Sequence, residues 1–240
     1  MSNKIFITVP LCIFCAVICL AQQADKNNYL NEIKAELIKT WPENRTVNIV
    51  FHGHSVPAGY AATPYVNTFT AYPFFTFKNI KTIYQNAVVN VITTSIGGER
   101  SDQGAKRFKK DVLCHHPDVL FIDYALNDRG IGLERSSKAW RKMIKLALKK
   151  RIKVILLTPT PDLKRDILDQ EISLAKHSAQ IRELADKYHV GLVDSYEKFR
   201  QIKIQGGNLE EYMSQYNHPN EKGHKVVSEL IAPWFNTSKE

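Results

Sequence analysis

Five short apolar runs, Val47–Phe51, Val88–Ile92, Val119–Tyr124, Val154–Thr158 and Gly191–Asp194, alternate along the chain with stretches of helical pattern, and this alternation constrains the fold more than any other feature. Each run is rich in β-branched residues and too short for a stable helix, and the helical pattern between runs supplies the crossovers that parallel strands require. Leu30, Ile33, Leu37 and Ile38 predict a helix before the first strand, and Trp140, Met143, Ile144, Ala147 and Leu148 predict another between strands three and four. A long helix from about Ile167 to Tyr188 and a last one from about Gly223 to Ile231 complete the pattern. The reading is an α/β chain, a three-layer α/β/α sandwich around a central five-stranded parallel sheet. In open sheets of this kind, ligands collect beyond the carboxyl ends of the strands.

Four segments carry the polar groups that ester chemistry needs: Gly53-His54-Ser55, Ser95-Ile96-Gly97-Gly98, Ala125-Leu126-Asn127-Asp128 and Asn217-His218-Pro219-Asn220. The first three follow strands one, two and three, and so share one edge of the sheet. A serine hydroxyl is a weak nucleophile until a base within hydrogen-bond reach takes its proton during attack. Ser55 is the candidate nucleophile. His218 is the candidate base, since a loop bounded by Pro and Asn before the last helix can carry a side chain across the sheet edge. His52 and His54 flank Gly53, but a base so close along a strand-to-turn segment points elsewhere. Attack on a carbonyl creates an oxyanion that preorganised donors must meet. The candidates are the Ser55 N–H, the Gly98 N–H and the Asn127 side-chain amide; glycine at position 98 lets the backbone approach a ligand closely. The turn after Gly53 lacks the second glycine of a Gly-x-Ser-x-Gly elbow, which disfavours an α/β-hydrolase lipase.

The order of these segments resembles the SGNH hydrolases, the superfamily also called GDSL esterases, whose Ser, Gly, Asn and His fall here on Ser55, Gly98, Asn127 and His218. The stretch from Phe51 to Tyr60 matches the first block, with Ala58-Gly59-Tyr60 after the serine, and the resemblance runs from about Asn48 to Ile231. It implies the flavodoxin-like fold of that superfamily and a serine hydrolase that uses neither metal nor organic cofactor. Two positions depart from the family pattern. His54 stands where the family has a structural Asp, and Gln215 stands where an Asp normally precedes the histidine by three residues. The third member of a triad fixes the tautomer of the base and steadies the imidazolium. Gln215 carries no charge, so a dyad-like site is expected, with the Gln215 carbonyl oxygen, a backbone carbonyl, or Glu210 or Glu211 as the alternatives that orient the ring.

Residues 1–21 read as a signal peptide: Lys4 precedes an apolar run from Ile5 to Leu20, and Cys19 and Ala21 supply small residues for cleavage after Ala21. A secreted or periplasmic protein is expected, without stable membrane insertion after cleavage; the competing uncleaved anchor would need an apolar run of roughly 20 residues. Residues 22–240 fit a single domain. Of the four cysteines, only Cys114 lies outside the leader, so no internal disulfide is expected. The formal charge of +9 includes Lys4 and no leader acid. Such a basic chain suits acidic partners such as anionic polysaccharide or lipid headgroups, or simply has a basic surface. Its Lys and Arg are scattered without aromatic interleaving, so no nucleic-acid partner is expected. Arg141, Lys142, Lys145, Lys149 and Lys150 share one helix face, read as solvated rather than membrane-bound. His52, His54, His115 and His116 lack the carboxylate spacing of a metal site.

The expectation is a secreted serine esterase that removes a small acyl group, such as a carbohydrate O-acetyl, through an acyl-enzyme. A small-molecule or glycan ester is the expected partner, and no lid insertion for long acyl chains is evident. A lysophospholipase or thioesterase of the same superfamily, or a catalytically weak glycan-binding module, are the alternatives. Glu99, Arg100 and Arg129 lie close enough to Gly98 and Asn127 to be candidate substrate contacts. Each arginine either selects an anionic substrate or pairs with a nearby acid.

Overall fold

The computed structural model describes residues 22–236, so the expected leader lies outside the described residues. The elements run α1 (Asn31–Leu37), β1 (Val47–Gly53), α2 (Ser55–Ala58), α3 (Tyr72–Ile83), β2 (Val89–Thr93), α4 (Ser101–Asp111), β3 (Val119–Asp123), α5 (Ala125–Asp128), α6 (Gly132–Lys149) and β4 (Lys153–Leu157). They continue with α7 (Ser173–Tyr188), β5 (Gly191–Val193), α8 (Ser195–Ile204), β6 (Met213–Gln215), β7 (His218–Pro219) and α9 (Glu221–Ile231). β1 to β5 form one parallel sheet in the order β2-β1-β3-β4-β5, which is the expected three-layer α/β/α arrangement.

Side chains alternate across a strand, and here the alternation divides two cores. Ile49, Phe51, Val119, Phe121, Ile155 and Leu157 face the layer that contains α1, α3 and α9. Val50, Leu120, Ile122, Val154 and Leu156 face α4, α6 and part of α7. Burying one large apolar side chain contributes roughly 1.5–3 kcal/mol. The Trp140, Met143, Ile144 and Ala147 stripe of α6 therefore fixes that helix, while exposed ion pairs are worth about 1 kcal/mol or less. Its outer lysines are solvated and not needed for docking.

Each predicted strand appears within two residues of its expected ends, but the predicted helix from Ile167 does not. The helix α7 starts at Ser173. Upstream, Asp166 accepts the Leu168 N–H at 3.0 Å and Asp169 accepts the Glu171 N–H at 2.8 Å. These local side-chain turns offer the backbone an alternative to helical bonding. The helices α3 and α4 fill expected crossovers for which the pattern gives no bounds, and α8 is not anticipated from the pattern. His218 also departs from its expected loop: with Pro219 it pairs antiparallel with Met213 and Gln215 in a small ribbon outside the main sheet.

Candidate active site

The nucleophile turn is shaped by an absence of side chain. A Cβ on Gly53 would lie 2.4 Å from the Asp123 carbonyl oxygen, so only glycine lets the ends of β1 and β3 come this close. His54 then serves as N-cap of α2, its Nδ1 accepting the Val56 N–H at 3.2 Å. An accepting Nδ1 places the ring proton on Nε2, which lies 3.3 Å from Asp123 Oδ1. The two atoms are close but not aligned for a hydrogen bond, and neither has another partner among the described residues. The other Asp123 oxygen accepts the Tyr72 hydroxyl at 3.0 Å. The histidine in the family's Asp position thus caps α2 through an imidazole nitrogen, a structural role here as well.

Ser55 follows the cap, and its Oγ lies 2.9 Å from His218 Nε2 and 3.4 Å from His54 Nδ1. The His218 ring reaches it from the small ribbon, 163 positions away in sequence. On the far side of that ring, Nδ1 lies 3.1 Å from the Ala61 carbonyl oxygen and 2.6 Å from the Gln215 amide nitrogen. These partners make opposite demands. A proton on Nδ1 donated to Ala61 leaves Nε2 bare to receive the Ser55 proton; an amide N–H donated to Nδ1 forces the ring proton onto Nε2, where it blocks the base. Burial holds the His218 pKa below its ordinary value, partly offset by the Ala61 carbonyl, with His54 lowering it further. The ring is therefore neutral at neutral pH, as a general base must be.

The expectation that the Gln215 carbonyl orients the ring is corrected. The Gln215 oxygen is held by the Thr63 N–H and hydroxyl, both at 3.2 Å, which turns the amide nitrogen toward His218. Glu211 pairs with Lys222 at 2.6 Å, and neither Glu210 nor Glu211 bonds to the ring. The base is backed by a main-chain carbonyl, as one of the sequence alternatives held.

At the ends of β2 and β3, the other candidates line up. Ile96 N–H donates to the Gly53 carbonyl at 3.1 Å, pinning the loop that carries Gly98 to the nucleophile turn. Gly98 has φ of +74°, a conformation that disfavours any side chain, and a Cβ there would meet nothing within 4 Å. Its glycine is thus required by backbone shape rather than by crowding. Neither the Ser55 nor the Gly98 N–H has a hydrogen-bond partner among the described residues. Asn127 donates one amide N–H to the Glu99 carbonyl at 3.0 Å, which fixes the amide plane and leaves the second N–H free. Next to it, the buried Asp128 carboxylate accepts from Ser101 N–H, the Ser136 hydroxyl and Trp140 Nε1 at 2.8, 2.6 and 2.8 Å. That hub ties the segment to α4 and α6.

The three candidate substrate contacts are each held by partners on the same chain. Glu99 is buried and held by Arg107 Nε at 2.8 Å and by the Tyr124 hydroxyl at 2.7 Å. Tyr124 in turn meets His52 Nε2 at 3.1 Å. Arg100 Nε pairs with Asp102 at 3.4 Å, and Arg129 Nη1 with Asp162 at 2.6 Å. Both arginines thus pair with a carboxylate on the same chain, and Arg129 also lines the cleft that opens at Asn127. Tyr60 was missed: its hydroxyl occupies the space where a Gly97 Cβ would lie, and its ring stands 5.9 Å from the His218 ring. Asp123, Asp128 and the Ala61 carbonyl were missed as well. His115 and His116 precede β3, at the end of the sheet opposite Ser55, and no group of three or more metal-ligating side chains occurs among the described residues.

An open parallel sheet with a Ser–His pair and free N–H donors at its carboxyl edge defines an α/β ester hydrolase. The chain belongs to the GDSL-like lipase/acylhydrolase family, whose model matches residues 51–226. No curated protein sequence matches it. Among solved structures, it is similar to a two-domain esterase active on acetylated mannans, at 18% identity and TM-score 0.70, covering 90% of this chain and 54% of that one. The chain thus spans about half the length of that two-domain protein. It is also similar to the acetylxylan esterase Axe2 of Geobacillus stearothermophilus, at 16% identity and TM-score 0.70, covering 84% and 97%. A putative GDSL-like lipase of Parabacteroides merdae matches at 17% identity and TM-score 0.68, covering 82% and 98%.

Proposed function

We propose that the protein is an exported carbohydrate acetylesterase that works through a serine acyl-enzyme. The observation that carries the mechanism is the 2.9 Å contact between Ser55 Oγ and His218 Nε2, with His218 Nδ1 turned to a carbonyl. Ser55 Oγ attacks the acetyl carbonyl carbon while His218 Nε2 takes the serine proton. The oxyanion is met by the Ser55 and Gly98 N–H groups and the free amide N–H of Asn127. The intermediate collapses, the bond from the carbonyl carbon to the sugar oxygen breaks, and His218 returns the proton to that oxygen. Water then attacks the acetyl-serine, again with His218 as base, and acetate leaves with Ser55 restored.

The neighbours active on acetylated mannans and xylan act on glycan acetyl groups, which supports the same class here. The leader pattern of residues 1–21 supports export. The missing carboxylate behind His218 favours a second reading, a glycan-binding module with little turnover. Hydrolysis of p-nitrophenyl acetate and acetate release from acetylated xylan, each beside Ser55→Ala, separate the two. Turnover abolished by Ser55→Ala is the expected result; equal background rates from both proteins would leave the binding module.

A further inference from the structure

The alcohol half of the substrate is addressed by the cleft of about 620 Å³ that opens at Asn127, the amide assigned to the oxyanion. We infer that this cleft takes a negatively charged group, a carboxylate or a sulfate, on the glycan whose acetyl ester is cleaved; the inference rests on the acetylesterase reading above.

Two guanidinium groups line the cleft, those of Arg129 and Arg165, and its wall contains no Asp or Glu. Arg129 is fixed in place, with Nε donating to the Leu126 carbonyl at 2.8 Å and Nη1 to Asp162 at 2.6 Å. Its Nη2 has no partner among the described residues. Arg165 is exposed on the same wall and makes no ion pair with any described residue. The two sides of Arg165 differ. The neighbouring cleft of about 450 Å³ is lined by Asp166 and Glu210 beside Lys164 and Lys203, so its charges are mixed. On the side of Asn127 the wall itself carries no acid, and the one carboxylate behind it, Asp162, is taken up by Arg129.

A guanidinium presents a planar fork of donors that matches a carboxylate or sulfate edge, and a fixed arginine loses little freedom when it binds one. Asp162 neutralises one of the two charges, which leaves Arg165 as the residue that sets the preference and Arg129 as a rigid donor. The formal charge of +9 works in the same direction, drawing an acidic polymer toward the surface. A neutral glycan chain gains only ordinary hydrogen bonds from this wall, whereas an acidic one exchanges mobile counterions for a fixed partner next to the acyl group.

The test compares acetate release from acetylated polygalacturonan, an acetylated sulfated galactan and acetylated xylan. An acidic substrate should exceed xylan by about tenfold in kcat/KM, the size of one good charge-assisted contact. The preference should reside in KM, shrink by about tenfold in Arg165→Ala, and fade in about 0.5 M salt. Lys110→Ala, which removes an exposed charge on α4, should keep it. Preference for polygalacturonan identifies the carboxylate and preference for the galactan the sulfate. Xylan cleaved as well as both acidic glycans, or a preference untouched by Arg165→Ala, would overturn the inference while leaving the esterase intact. Calorimetric binding of deacetylated oligogalacturonate and xylo-oligosaccharide to Ser55→Ala tests the cleft without turnover. Equal affinity for the two would overturn it too, whereas a failure of the esterase reading shows separately as background hydrolysis of p-nitrophenyl acetate.

Discussion

Ser55 stands between two imidazoles that are backed in opposite ways. His218, which lies nearer, has a main-chain carbonyl and an amide behind it, and His54, deeper and further, has the buried carboxylate of Asp123. The fixed negative charge of this site is therefore on the side of the cap and not of the base. The difference teaches that charge and base strength are separable here. The carboxylate anchors the Tyr72 hydroxyl beside the cap, while the base relies on desolvation to stay neutral and on a dipole to hold its tautomer.

The comparison breaks most visibly if the two histidines are removed in turn. His218→Ala should lower kcat by about 10⁴-fold or more with the fold retained, the usual loss when a base that works with a serine is deleted. If His54 were the base, His218→Ala would keep most of its activity. Removing the oxyanion amide in Asn127→Ala should cost about 10²–10³-fold in kcat with little change in KM, measured on p-nitrophenyl acetate. On the opposite side, Asp123→Asn should act mainly on stability, by about 1–2 kcal/mol in urea unfolding, because it weakens the buried acceptor of the Tyr72 hydroxyl. A kcat loss larger than that of Asn127→Ala, without a shift in the unfolding midpoint, would assign the carboxylate to catalysis instead.

Smaller effects sharpen the picture. Gln215→Glu keeps the shape and puts an oxygen where the amide nitrogen faces Nδ1, so kcat should rise several-fold as the tautomer conflict disappears. An unchanged or lowered rate would show that the Ala61 carbonyl already suffices. The pH profile of kcat/KM should have its acid limb below 6.5, since burial depresses the His218 pKa, with activity lost as pH falls through that value. Stability carries a related signature from His52 and His224, both pushed down to about 3 by burial. Between the unfolded value near 6.5 and about 3, the unfolded chain binds the extra proton, so each histidine destabilises the fold on acidification by on the order of 1 kcal/mol per pH unit.

Much of this was legible in the sequence because the strands of a covered parallel sheet are nearly continuous apolar runs, and four polar segments follow in order. Ser55, Gly98, Asn127 and His218 come from that order. What escaped has physical reasons. The group behind His218 is the Ala61 carbonyl, and a backbone atom leaves no mark on residue type. Asp128 reads as part of a turn, and only the arrival of Ser101, Ser136 and Trp140 from other elements makes it a hub. The helix α3 is rich in aromatic and β-branched residues, which dilute a helical pattern until tertiary packing decides. Asp166 and Asp169 ended the upstream part of α7 by local turns that apolar periodicity does not register.

The ribbon that carries His218 also gives the enzyme a point of early failure. It holds only Met213–Gln215 against His218–Pro219, outside the five-stranded sheet, and its anchorage includes Ser214, Asn220 and the Leu163 N–H to Tyr216 carbonyl bond at 2.7 Å. Such a short unit can open while the sheet remains folded. Catalysis would then be lost on warming before the cooperative melt, and cooling would restore it without refolding. Residual turnover thus gauges the attachment of the C-terminal segment, a property that spectroscopic melting of the whole chain does not see.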